Sequence, residues 1–411
     1  MIDPVLYRYT VIVLNDGNEY DITNAIQNIS WEDLEDELAA RMSFTSRNDE
    51  ACETRVSEIA TPGSWVVYMY SYNNGTPVEA ISGKIEEWSP FAKNDSEVLR
   101  VKAYDILRDM QDSQDVIYSK RGRRTKKIIK KIFKKWKIPL AYYDGPNVKM
   151  GKLAYKEKLG SAIIKILDEA KKKGGKDAVL RASMNQVGVA AMCSNATVFH
   201  LEEGRHITEI NHRITTSGMV TRVKVTGKQK KNGTTPIKAT VNGETEYGIR
   251  QKLYSRGKDE TQKAAKKAAK AILDEDGSPK ETISVKCVEL PFIRKGDMIS
   301  VDAETIDSGY YCVMSVSHSV DEMIMTLDLE SADGYEIDDG GGKKYKKGTT
   351  VTFKGGKYYK SSKKGAKGSK AAAGKAKITK VKSGAAHPYR LSTKNYKKSK
   401  VNGWVDSGSF S

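Results

Sequence analysis

His200, His206 and His212 recur every six residues, and Cys193 lies just upstream of them. Imidazole nitrogens and a thiolate are ordinary zinc ligands, so this is the first place where metal chemistry would be sought. The spacing matches no compact ligand pattern, and Glu202-Glu203-Gly204 breaks any single strand face. Packing or surface roles are therefore expected for these residues, and no metal site. The acidic run 32–37 offers carboxylates for calcium but lacks the ordered Asp/Asn-Gly-Glu loop, and it reads as a solvated hairpin tip. Asp333, Asp338 and Asp339 stand among glycines and read as linker. The phosphate-cradling GxxxxGKS/T, the HExxH metal pair and the GxSxG elbow are all absent. Nothing singles out a pair of carboxylates for glycoside cleavage. With no nucleophile–base constellation, no catalytic residue, metal or cofactor is assigned, and the chain is not expected to be an enzyme.

The elements that carry these residues are mostly strands. The first stretch, to about residue 118, is β-rich. Residues 7–14 alternate, Asp16-Gly17 marks a turn, and 63–72 is dense in Val, Tyr and Trp. Asn73-Asn74-Gly75 signals a hairpin whose return strand is 78–88, followed by another at 97–103. At residue 120 the pattern changes. In KRGRRTKKIIKKIFKKWK (120–137), Ile128, Ile129, Ile132, Phe133 and Trp136 fall at helical spacing, with lysines opposite that read as a solvated face. A second amphipathic helix spans 159–172 and ends at Gly174-Gly175, and strand-like 178–182 and 188–192 follow. Strands dominate again in 206–331 (219–226, 237–241, 282–288, 298–303, 310–317 and 323–330), interrupted by an Ala/Lys-rich helix at 258–274. The stretch 332–342 has linker composition, and short strand-like pieces at 349–353, 377–381 and 403–405 sit in a Gly/Lys-rich tail.

The 411 residues imply several domains, and the formal charge of +18 invites a nucleic-acid reading. Residues 343–411, however, hold 19 Lys and one Arg against Asp406 alone, a net of +19. The other 342 residues carry 50 basic and 51 acidic side chains, so an anion-binding claim belongs to the tail first. The acidic start with no long apolar run argues against a secretory signal, and no window is apolar enough for a membrane span. Cys52, Cys193, Cys287 and Cys312 are scattered, which suggests folding in a reducing compartment, and Cys312 reads as a small buried hydrophobe.

The first β segment contains Ile29-Ser30-Trp31, RMSFTS (41–46), ISGKI (81–85) and Ala103-Tyr104-Asp105-Ile106-Leu107. IIKKIFKKWKIPL (128–140) follows in the middle. In the second segment come TRVKV (221–225), Tyr247-Gly248, the Ala-rich helix, LPFIRKGDMISV (290–301) and YYCVMSVSH (310–318). Through these pieces in this order, residues 1–331 resemble the central baseplate hub proteins of contractile phage tails, defective prophages and R-type bacteriocins. Broader relatives are the hub part of type VI secretion spikes and the late-control proteins of temperate phages. The resemblance implies two β-barrels flanking a small α/β domain, three copies of which form a ring that continues the tail tube and seats the central spike.

The tail is similar to the Src-homology-3-type modules appended to bacterial and phage peptidoglycan amidases, through Val351-Thr352-Phe353, Tyr358-Tyr359, GKAKITKV (374–381), HPYRL (387–391) and Gly403-Trp404-Val405-Asp406. That resemblance makes Tyr358, Tyr359, His387, Tyr389 and Trp404 candidate cell-wall-binding residues. The competing reading is that His387, Tyr389 and Trp404 fill a tiny core. Core filling is favoured for Trp404, and both readings stay open for Tyr358 and Tyr359.

The expected fold class is mainly β with an α+β insertion: a first barrel at 1–119, an α/β middle domain at 120–205, a second barrel at 206–331, a linker at 332–345 and a basic module at 346–411. The expected function is a structural baseplate hub in the tail of a virion or phage-tail-like particle, made in a bacterial host cytoplasm. Expected partners are two further copies in a homotrimer, the tail tube protein, the central spike, other baseplate proteins and cell-wall polymers, with no membrane span and no specific nucleic acid. The alternatives are a tail-associated peptidoglycan hydrolase or cell-wall-binding protein, and a nucleic-acid binder that uses the lysine tail.

Overall fold

The computed structural model describes residues 7–47, 50–51, 53–93, 96–257, 260–332, 335, 345, 348–362, 365–382, 385–393 and 400–410. They form two compact units, Met1–Ile210 with Ser284–Ser411, and Asn211–Ile283. Cys52, Asp333, Asp338 and Asp339 lie outside the described residues.

The largest sheet of the chain has thirteen strands. Part of its order is Ile324–Ser331, Gly309–Ser319, Ile26–Asp33, Arg41–Ser46, Ser96–Tyr104, Val78–Lys93, Trp65–Tyr72, Tyr7–Asn15 and Asn18–Asp21. The two β-rich stretches of the sequence thus share a ladder. Gly309–Ser319 runs antiparallel to Ile26–Asp33, with Val316 opposite Asp33 and His318 opposite Trp31. The local causes are plain. Arg41–Ser46 buries every second residue, Met42, Phe44 and Ser46, as a strand with one face on a core must. Asn73 (φ 49°) and Asn74 (φ 56°) both take the left-handed conformation that a two-residue hairpin turn demands, and Gly75 N donates to Tyr72 O at 2.9 Å. Trp31, Met42, Phe44, Tyr68 and Val101 fill the core on this sheet.

The middle segment packs two helices, Thr125–Lys135 and Leu159–Lys172, with a three-stranded sheet (Leu140–Tyr143, Gln186–Ala191, Ala178–Ser183) and the ribbon Gln114–Ser119/Leu153–Lys158. Ile128, Ile129, Ile132 and Phe133 meet Ile163, Ile166, Val187 and Val189 in one core. The first helix is shorter than the expected 120–137. Gly122 turns at φ 86° and Arg124 bridges to Lys149, so the chain enters the helix only at Thr125.

In the smaller unit, Arg222–Thr226 lies between Ile237–Asn242 and Gln251–Ser255, and the helix Gln262–Asp276 covers one face through Ala265 and Ala269 on Val223 and Val225. Thr261 caps that helix, its Oγ1 accepting from Ala264 N at 3.2 Å, which sets the start four residues after the expected 258.

The C-terminal module is a six-stranded sheet ordered Thr350–Phe353, Gly374–Val381, Tyr389–Ser392, Asn402–Val405, Gly356–Tyr359, Gly368–Ala371. Phe353, Ile378, Leu391, Val405 and Phe410 form its core. The chain as a whole is mainly β with several sheets, as expected.

Two expectations require correction. Cys193 and Cys312 are joined in a disulfide with Cα atoms 5.9 Å apart, so Cys312 is more than a buried apolar filler. Their 119-residue separation hid the pairing from spacing arguments. The acidic run 32–37 is not simply a solvated tip either. Asp33 is buried and ion-paired with Arg294 and Lys295, because the RKGD turn folds over the hairpin.

Candidate functional site

Two places bring polar chemistry together, and each is built on a histidine stacked against an aromatic ring. The first lies on the C-terminal module. Asn402–Val405 runs beside Tyr389–Ser392, and Tyr359 at the end of its strand sits opposite Trp404. His387 precedes the strand Tyr389–Ser392, tethered by its backbone N to Ser362 O at 3.1 Å. Its ring stacks on Tyr359 with centroids 3.4 Å apart and planes 9° from parallel. Its Nδ1 faces Asp406 Oδ1 at 2.5 Å. Lys382 Nζ stands 5.9 Å from the Trp404 ring centroid and also pairs with Asp307.

Of the five residues singled out by sequence, Tyr389 belongs to the module core, edge-on to Phe410 at 5.1 Å. Trp404 is 7% exposed. Tyr358 is half-buried and packs against the core, beside Gly403, where a Cβ would come within 2.6 Å of its ring. His387 is buried as well, at 8% exposed, and its ring covers one face of the half-buried Tyr359. Asp406, which sequence reasoning did not select, is the exposed member of the group. Asp406 is the only acid among residues 343–411, and that isolation was the signal available. The arrangement offers an aromatic face, a hydrogen-bonding edge and surrounding lysines, the equipment for holding a sugar or an anionic polymer.

The second place is a buried seam, and the motifs that carried the sequence resemblance meet there. His318 stacks on Trp31 at 3.7 Å and 10°. Its Nδ1 meets Glu289 Oε1 at 2.8 Å and its Nε2 faces Ile293 O at 3.1 Å. Tyr9 donates its hydroxyl to the same Glu289 oxygen at 2.6 Å. Glu289 Oε2 and Trp31 Nε1 have no partner among the described residues.

Beside it the RKGD turn clasps the 33–37 hairpin and the middle segment. Arg294 Nε donates to Asp33 Oδ2 at 3.0 Å and Lys295 Nζ to Leu34 O and Glu37 O at 2.6 and 2.7 Å. Arg181, from the middle segment, donates to Lys295 O and to Asp297 Oδ1. Gly296 takes φ 87°, and a Cβ there would lie 2.7 Å from Val179 Cγ2, so the turn needs glycine twice over. Burial pushes the Asp33 carboxyl up, but the Arg294 and Lys295 charges outweigh it and hold the group below its ordinary value. Asp105, next to the clasp, goes the other way. Burial raises it to about 7 against the pull of Ala40 N and Arg294.

The histidines that could have suggested zinc are not brought together. His200 Nδ1 meets Ser300 Oγ at 3.2 Å, His206 Nδ1 accepts from Glu202 N at 3.2 Å, and His212 Nε2 meets Glu281 Oε1 at 2.8 Å. Cys193 is taken by Cys312. Among the described residues no three His, Cys, Asp or Glu side chains converge as a metal site.

Comparison with known proteins bears on the larger part of the chain. The tail protein from Neisseria meningitidis MC58 shares the fold with TM-score 0.55 and 15% identity, over 79% of this chain and 97% of that one. The 43 kDa tail protein of prophage MuSo2 from Shewanella oneidensis gives TM-score 0.56 and 11% identity, over 78% and 98%. The uncharacterized protein YqbQ of Bacillus subtilis (strain 168) is 24% identical over 256 residues, 61% of this chain and 78% of that protein. The YqbQ-like family model matches residues 29–331, from Ile29 in the strand that carries Trp31 to the end of Ile324–Ser331 and short of the C-terminal module. With the match extending over most of its length, the chain belongs to the YqbQ-like family.

Proposed function

We propose that this chain is a structural hub of a phage tail or phage-tail-like particle, a homotrimeric adaptor between tail tube and central spike with no reaction of its own. The observation that carries this reading is the single sheet joining the two β-rich segments, in a fold shared with two tail proteins over nearly their whole length. A ring subunit must transmit force without its halves parting, and a shared ladder together with the ionic clasp at the Arg294 turn suits that work. Open strand edges can be completed by neighbouring copies, which favours a closed ring over a free monomer. Light scattering at micromolar concentration should report a trimer, or a monomer that trimerises when its spike partner is added. A stable dimer or tetramer under both conditions would refute the trimer. Electron micrographs of particles labelled on this protein should place it at the tail end.

A second role is proposed for the C-terminal module, affinity for cell-wall polymers. Its support is the Tyr359–His387–Asp406 face on a segment of net charge +19. Lysine outnumbers arginine 19 to one there, which favours point-charge attraction to phosphate-bearing polymers over geometry-specific recognition. The full chain should pellet with purified walls at low salt and less so at physiological salt. Retention on duplex DNA with indifference to walls would overturn the role. Clearing of wall turbidity by the purified chain would instead favour a hydrolase.

A further inference from the structure

Charge is segregated inside the first 331 residues in a way the overall balance conceals. Residues 120–158 contain 15 Lys and Arg against Asp144 and Glu157, a net of +13. Residues 1–119 hold 22 acidic and nine basic side chains, a net of −13. The basic stretch is almost unneutralised. Among its cations, Lys135 pairs with Asp115 and Lys158 with Asp112, while its two acids, Asp144 and Glu157, pair outside the stretch with Lys176 and Lys165. Such a density repels itself unless opposite charge is brought to it.

This surface is also partly apolar. The ribbon Gln114–Ser119/Leu153–Lys158 turns Ile117 and Leu153 inward. On its outer face Val116 is 64% exposed and Tyr118 56%. Lys156 lies opposite Val116, Ala154 opposite Tyr118, and Lys152 Nζ stands 5.9 Å from the Tyr118 ring. Lys149, Arg121, Arg123 and Arg124 continue the exposed basic rim from the turn that bridges Arg124 to Lys149. Each strand of the ribbon pairs only with the other among the described residues, so each has a backbone ladder with no strand on it.

We propose that this face docks an extended, acidic segment of another protein. Three features select that partner. A strand edge accepts a polypeptide backbone, which a nucleic acid cannot supply, and the edge of Leu153–Lys158 suits this better than that of Gln114–Ser119, where Asp115 Oδ1 already accepts from Val116 N at 2.7 Å. Val116 and Tyr118 sit on one face, at the two-residue repeat where an added strand places its own side chains. Lysines outnumber arginines twelve to three, which suits carboxylates alternating with apolar residues better than the bidentate capture of phosphates. The inference does not depend on the tail reading.

The test uses the full chain and a peptide alternating glutamate with valine as the probe. The C-terminal lysines also attract anions, so position is read directly: carbodiimide coupling joins glutamate carboxylates to nearby lysine amines, and mass spectrometry maps the links. Links at Lys152, Lys156 and Lys149 are expected. Links confined to residues 343–411 overturn the proposal. Lys152→Glu with Lys156→Glu should weaken binding about tenfold, and Val116→Ser about threefold. All three positions are exposed, so thermal melting should stay unchanged. Unaltered affinity in both variants overturns the proposal. So does duplex DNA of equal charge that displaces the peptide and binds Val116→Ser as well as the parent.

Discussion

Trp31–His318–Glu289 and Tyr359–His387–Asp406 are the same device built twice. In each, an imidazole lies flat on an aromatic ring and turns its Nδ1 to a carboxylate. They differ in access to water. The side chains of His318 and Glu289 are 0% exposed, whereas those of His387 and Asp406 are 11% and 54% exposed. Sealed from solvent, such a group can only hold the protein's own parts together, and any missing partner leaves a desolvated polar atom. At the surface the same group costs little to disturb and remains available to a ligand. Chemistry alone therefore does not separate scaffold from site here. Burial does.

The contrast breaks most visibly at the clasp beside the sealed triad. Asp33 is the carboxylate bonded to both Arg294 and Lys295, so Asp33→Ala strands two buried cations and should cost about 5 kcal/mol. Urea unfolding measures it, and a loss under about 1 kcal/mol would place the clasp on the surface side of the comparison. Replacing Asp33, Arg294 and Lys295 together by leucine and methionine should restore part of the loss, since the stranded cations go with their carboxylate, although Asp105 then loses the nearby Arg294 charge.

The next effect concerns pH. Asp105 has a folded value raised to about 7 from 3.8, so between those limits the native state binds more protons than the unfolded one. Its contribution is complete below 3.8 and is lost as pH rises through about 7. Across that window it removes roughly 4 kcal/mol. Asp33, whose value is lowered, contributes with the opposite sign: its stabilisation is present above the unfolded value and is lost as pH falls through the lowered one. Asp105→Asn should therefore flatten the decline in stability expected of the parent between about pH 4 and pH 8. An unchanged slope would mean that this carboxyl ionises without cost.

How far these features were visible beforehand follows the range of the interactions. Local signals were reliable. The second amphipathic helix falls at 159–172 as its spacing indicates, and Asn73-Asn74 turns where the hairpin needs it. Long-range features were not legible from spacing. Asp33 meets Arg294 across 261 residues, and Cys193 meets Cys312 across 119, so no periodicity could link them. The strand Ile207–Thr215 escaped notice because most of its residues are exposed and give no clean alternation. In the C-terminal module, the resemblance put forward five aromatic or imidazole side chains, with core filling already favoured for Trp404. The fold buries Tyr389, Trp404 and His387 and leaves Tyr359 half-buried, with His387 turned to Asp406. The basic face of the middle segment was visible as a run of lysines, but Val116 and Tyr118 beside it emerged only once their strand was paired.

The smallest expected effect on stability is the sharpest test of the comparison. His387→Ala removes the ring that stacks on Tyr359 and frees an exposed carboxylate, which water can solvate in place of the imidazole. Because His387 itself is buried, the expected cost is about 1–2 kcal/mol. His318→Ala at the sealed site should cost about 3 kcal/mol, because it opens a cavity against Trp31 and leaves the buried Glu289 with only the Tyr9 hydroxyl. Wall binding should rank the pair in reverse. His387→Ala loses the flat face and weakens sedimentation with purified walls several-fold, while His318→Ala, assayed below its lowered melting temperature, binds as the parent does. If His387→Ala instead destabilises as much as His318→Ala and leaves wall binding intact, then the Tyr359–His387–Asp406 group is a staple of the module core and not a ligand face.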